Sequence, residues 1–119
     1  MPARLRPADP AAVADARARL DAGEPAPADL RLLTKHFLAL LETRAPGRSV
    51  EVRVPPYAAV QCVEGVRHSR GTPPAVVEMD AATWIALATG DLGWYDAERS
   101  ARVRASGERA DLAPYLPLA

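Results

Sequence analysis

The sequence holds one cysteine, Cys62, two histidines, His36 and His68, one lysine and no asparagine in 119 residues. A lone thiol forms no internal disulfide, and one cysteine with two histidines supplies neither a multi-cysteine nor a three-histidine metal site. No metal or other cofactor is expected. Neither sign of charge is in excess: 15 basic and 15 acidic side chains cancel, which removes the general attraction that nucleic acid or an anionic membrane exerts on a basic protein. A nucleic-acid partner is therefore not expected. Also absent is any run of ~18 apolar residues, and residues 1–10 lack the apolar centre of a secretory leader. Membrane insertion and export are not expected, and a reducing cytoplasm is the expected setting.

What is present is an ordinary globular balance, 49% hydrophobic and 25% charged, in a chain short enough for a single core. Twelve prolines predict short, sharply bounded elements, because each fixes φ and removes a backbone donor.

Residues 1–27 read as an N-terminal arm and a first helix. Asp9-Pro10 supplies a capping acceptor followed by proline at the first helical position, and Gly23, Pro25 and Pro27 end the helix near Ala22. Its apolar stripe of Val13, Ala16 and Leu20 is thin, which suits a surface position or packing on a neighbour. Residues 28–119 read as the domain proper. Leu30, Leu33, Phe37, Leu40 and Leu41 recur with helical period over residues 28–44. Val50, Val52 and Val54 alternate with Glu51 and Arg53 as in a half-buried strand. Residues 57–64 are apolar on both faces, which predicts a second strand more central than the first. A third strand over residues 75–79 precedes a helix capped by Asp80, with Trp84, Leu87 and Ala88 on one face and Gly90 at its end. A short helical piece near residues 96–100 and a last strand over residues 102–105, with Val103 and Ala105 inward, follow. This order predicts an α+β domain with a mainly antiparallel sheet of four to five strands and helices packed on one face.

From Ala75 onward, Ala-Val-Val-Glu-Met-Asp-Ala-Ala-Thr-Trp-Ile-Ala-Leu-Ala-Thr-Gly resembles the sterol carrier protein family in its strand, acidic cap, amphipathic helix and glycine. Ala101 and Gly107 stand where that family has a small residue, usually glycine, before its last strand and a glycine after it. The resemblance implies a sterol-carrier-like fold that binds an apolar small molecule or lipid without catalytic residues. Phe37, Leu41, Trp84, Leu87, Trp94 and Val103 are the candidates to line such a pocket, although the simpler reading of the same six is an ordinary core. In the family a longer terminal helix closes the tunnel, whereas Pro114 and Pro117 limit any helix here to about one turn after Asp111. The chain is similar as well to the C-terminal domains of mycothiol-dependent maleylpyruvate isomerase-like proteins. The metal-binding helical bundle that accompanies those domains is not in this sequence, so no enzymatic role is carried over. Arginine supplies nearly all the basic residues and alanine is abundant, a usage associated with GC-rich bacterial coding.

The remaining polar residues offer weaker chemistry. Gln61, His68, Arg70 and Glu78 are candidate head-group contacts, since arginine forks and a histidine suit carboxylate or phosphate; the alternative is a solvated loop in which Arg70 pairs with Glu78. Cys62 with His68 has no motif to support a nucleophile, and a cysteine on an apolar strand is expected to be a small buried hydrophobe. Nothing in the spacing of Glu64 and Glu78 identifies an acid and a base. Arg99, Arg102, Arg104 and Arg109 interleave with acids and predict an ion-paired surface rather than a nucleic-acid site. Two function classes follow: an apolar-ligand carrier, or an interaction module that keeps the fold and associates, as a homodimer for instance, through the stripe of the first helix.

Overall fold

In the computed structural model, which describes residues 4–65, 74–107 and 110–119, the Asp9 carboxylate accepts from the Ala12 amide and Pro10 opens helix α1 (Pro10–Asp21). The next helix, α2 (Asp29–Arg44), is joined to α1 at one buried carboxylate. Asp29 accepts from Nε and Nη2 of Arg19 at 2.9 and 3.0 Å, and from the Ala26 amide at 2.7 Å. The Arg19 guanidinium holds the Asp29 carboxyl below the usual carboxylate range. Ala16 of α1 is fully buried in the core, while Val13 and Leu20 stay half-buried.

Strands β1 (Val50–Val54), β2 (Ala58–Cys62), β3 (Ala75–Met79) and β4 (Val103–Ser106) form one sheet in the order β2-β1-β3-β4. The β1–β2 and β3–β4 pairs are antiparallel and β1–β3 is parallel. The sheet is thus mixed and mostly antiparallel, with helices on one face as the element order predicts. On that face Val50, Val52, Val54, Cys62, Val77 and Met79 are buried. Because side chains alternate along a strand, Glu51, Arg53, Gln61, Glu78 and Arg104 stand on the other.

Two expectations about the strands are corrected. The second strand is an edge, not more central than the first: β3 pairs on the far side of β1, and Ala59 and Gln61 are exposed. Small apolar side chains on both faces had mimicked a two-sided core strand. Ala105 is likewise exposed although it lies in register with buried Val77, because β4 is the other edge and has a neighbouring strand on one side only.

Helix α3 (Ala81–Thr89) follows β3 directly, and α4 (Trp94–Arg99) begins two residues earlier than the sequence suggests. The end of α4 explains the small residue at position 101. The Ala101 amide donates to Glu98 O at 3.1 Å and the Arg102 amide to Ala97 O at 3.0 Å, the paired bonds of a Schellman stop, which require a left-handed residue. Ala101 sits there at φ 60°, and Gly107, after β4, at φ 94°. Ala101→Gly is therefore expected to raise stability by about 1 kcal/mol by relieving the clash of Cβ with the backbone. Urea denaturation checks this as a higher midpoint at unchanged slope; an unchanged or lower midpoint contradicts it.

Candidate functional site

The helix-facing layer is built from α2, α3, α4 and the sheet. Asp80 caps α3 by accepting from the Thr83 amide at 2.8 Å, a bond that, with help from the Arg102 charge, draws its carboxyl below the usual range. Gly90, at φ 90°, ends the helix. The nine residues between these caps carry Trp84 and Leu87 into the core, and the Trp84 indole N–H donates to the Thr34 carbonyl of α2 at 3.2 Å.

All six apolar candidates, Phe37, Leu41, Trp84, Leu87, Trp94 and Val103, are buried and belong to one cluster, the most exposed being Val103 at 7%. Leu112 and Leu118 of the terminal segment join the same cluster. Its single turn of 3-10 helix (Ala113–Tyr115) is as short as the prolines predict. What it lacks in helix it replaces with tethers: the Leu118 and Ala119 amides donate to the Ala88 carbonyl at 2.8 and 3.1 Å, and Arg44 Nη1 donates to the Tyr115 and Pro117 carbonyls at 3.2 and 2.7 Å. Within this layer the Thr34 and Thr83 hydroxyls and the Trp94 indole N–H are buried and find no hydrogen-bond partner among the described residues.

Of the head-group candidates, His68 and Arg70 lie outside the described residues. Gln61 and Glu78 stand on the sheet face turned away from the helices, since Gln61 is in register with Glu51, and Glu78 with Arg53. The structure gathers the six apolar candidates and puts the sheet between them and these two polar ones. Glu64 is exposed just past the end of β2. The other histidine, His36, accepts at Nδ1 from the Ala8 amide at 2.9 Å, and its partial burial lowers its pKa, which favours the neutral ring.

Cys62 faces the helix-side core and is fully buried, and burial pushes its thiol up to about 12. A thiol that holds its proton so firmly is no nucleophile at neutral pH. Iodoacetamide is expected to leave Cys62 unmodified in the native protein and to alkylate it once denaturant unfolds the chain. Rapid native labelling, read by mass spectrometry, contradicts this burial.

The far face of the sheet carries a cleft that no sequence motif announced. Arg53, Glu78 and Arg104 lie in register across β1, β3 and β4. A depression of ≈ 410 Å³ there is lined by Pro55, Glu78, Met79, Asp80, Ala101, Arg102 and Arg104. It shares Pro55 and Glu78 with a shallower one of ≈ 310 Å³ that reaches Arg53 and Tyr57. The sequence offered Glu78 as a candidate but not the arginines beside it, because the contact joins residues ~25 positions apart that only strand pairing brings together.

A protein-family model described as a bacterial SCP ortholog matches residues 27–118. The match spans α2 and the first two strands as well as the stretch from Ala75 onward. No curated protein matches the chain.

Proposed function

Since the chain belongs to the bacterial family of sterol carrier protein orthologs, we propose that it binds an apolar molecule between helices and sheet, without catalysis. A fatty-acyl, isoprenoid or sterol-like lipid suits the walls. Residues 28–119 act as the carrier unit and residues 1–27 as an addition to it.

The observation that carries this reading is the set of three partnerless buried polar atoms, Thr34 Oγ1, Thr83 Oγ1 and Trp94 Nε1, in a layer whose other buried side chains are mainly apolar. Buried polar groups ordinarily have partners, and small-molecule sites combine apolar walls with a few polar atoms that orient the ligand. The polar end of a lipid satisfies such atoms, accepting from the indole and exchanging a hydrogen bond with a threonine hydroxyl. Room for the apolar part comes from the terminal segment, which is held by a handful of hydrogen bonds and the side chains of Leu112 and Leu118. No helix among the described residues is long and apolar enough to cross a membrane, and we place the carrier in the bacterial cytoplasm with no nucleic-acid partner.

Organic extraction of freshly purified protein is expected to release stoichiometric lipid, and a fluorescent fatty acid is expected to bind saturably. Absence of saturable binding across fatty-acyl, isoprenoid and sterol probes overturns the proposal. A second reading, an interaction or dimerisation module, is favoured by the burial of all six wall candidates together with the half-buried Val13 and Leu20 of α1. An empty dimer that Val13→Asp and Leu20→Asp dissociate supports that version; a monomer that retains lipid rejects it.

A further inference from the structure

The geometry points to a second binding site, in the cleft on the sheet face turned away from the helices, for a small organic anion that also carries a hydrogen-bond donor. It lies across the sheet from the apolar layer and stands independently of what that layer holds.

The groups that line the cleft differ in what they already bind. Arg53 is committed to Glu51, its Nε donating at 2.7 Å, and Asp80 is committed to the Thr83 amide. Arg102 and Arg104 are exposed, and neither forms an ion pair with a described carboxylate. Glu78, half-buried between the strands that carry Arg53 and Arg104, also has no ion pair among the described residues. Two guanidinium groups at one cleft favour a carboxylate or phosphate, whose oxygens match the planar fork of arginine. Glu78 and Asp80 work against a bare anion, because an unanswered like charge disfavours binding. A hydroxyl or ammonium on the same molecule turns Glu78 from an obstacle into an acceptor. Pro55 and Ala101 supply an apolar wall for a short carbon skeleton, and ≈ 410 Å³ is room for a small metabolite rather than a macromolecule.

Amide chemical shifts of the full chain, titrated separately with succinate, malate, inorganic phosphate and glycerol phosphate, test the site. Malate differs from succinate by one hydroxyl, and glycerol phosphate adds hydroxyls to phosphate. Malate or glycerol phosphate is expected to give saturable shifts confined to residues 53–59, 78–80 and 101–104; whichever binds more tightly identifies the anionic group as carboxylate or phosphate. Arg104→Gln is expected to weaken that binding ~10-fold or more, the worth of a charge-assisted hydrogen bond. Glu78→Gln is expected to abolish the advantage of the hydroxyl-bearing ligand over its plain counterpart. Lack of saturable shifts with all four compounds overturns the proposal. So does equal affinity in Arg104→Gln, or an undiminished hydroxyl preference in Glu78→Gln.

Discussion

Trp84→Ala is expected to remove about 3–5 kcal/mol of folding stability from the ligand-free protein, the usual result of deleting a buried tryptophan. That is a large share of the ~5–15 kcal/mol that holds a domain together. The side chain has no exposed surface, it is the largest of the fully buried residues, and its indole N–H satisfies the Thr34 carbonyl. Truncation leaves a void and breaks that bond at the α2–α3 contact. The size of the loss also reports on the apolar layer. As a packed core residue, Trp84 shows its full effect in equilibrium denaturation without ligand. As part of a yielding ligand wall it gives a smaller stability loss and a changed affinity for a fluorescent fatty acid. A loss well under 3 kcal/mol with altered binding therefore contradicts the packed-core account of this residue.

Gly47→Ala is expected to cost about 3 kcal/mol or more, from steric overlap and from a backbone conformation that alanine rarely adopts. Gly47 lies at φ 149°, and a methyl group there would overlap the Val63 carbonyl and the Glu64 nitrogen. Both are backbone, so no side-chain rotation relieves the clash. Nor is Val63 free to retreat. Its amide donates to the Ala45 carbonyl at 2.7 Å, and its carbonyl accepts from the Ser49 amide at 3.0 Å and the Ser49 hydroxyl at 2.6 Å. Val63 itself sits at φ 65°, an uncommon place for a β-branched residue. The turn between α2 and β1 and the end of β2 thus lock one another. Denaturation of the variant tests this, with circular dichroism to establish that the remaining protein is folded; near-wild-type stability would show that the backbone here yields.

The two substitutions probe different kinds of information. Trp84 is legible in the sequence: its spacing from Asp80 and Leu87 and the helical period place it on the buried face of α3. Nothing around Gly47 announces that its hydrogen atom faces the carbonyl of a residue sixteen positions later.

By itself the sequence determined the local elements. Asp9-Pro10 and Asp80 start helices, Gly90 stops one, the valine comb of β1 assigns its faces, and Pro114 and Pro117 shorten the terminal helix. These signals act over a few residues, through hydrogen bonds and side-chain periods that each segment carries within itself. Residues 75–107 also carried the family resemblance, and positions 101 and 107 are part of it for a physical reason, their positive φ. Tertiary structure alone decided that β3 pairs beside β1, making β2 an edge, and that Gln61 and Glu78 face away from the apolar layer. It also decided that Glu78 meets Arg102 and Arg104 in one cleft. Strand order and the neighbours across it depend on which long-range pairing buries the most apolar surface, a competition among distant segments that no local pattern records.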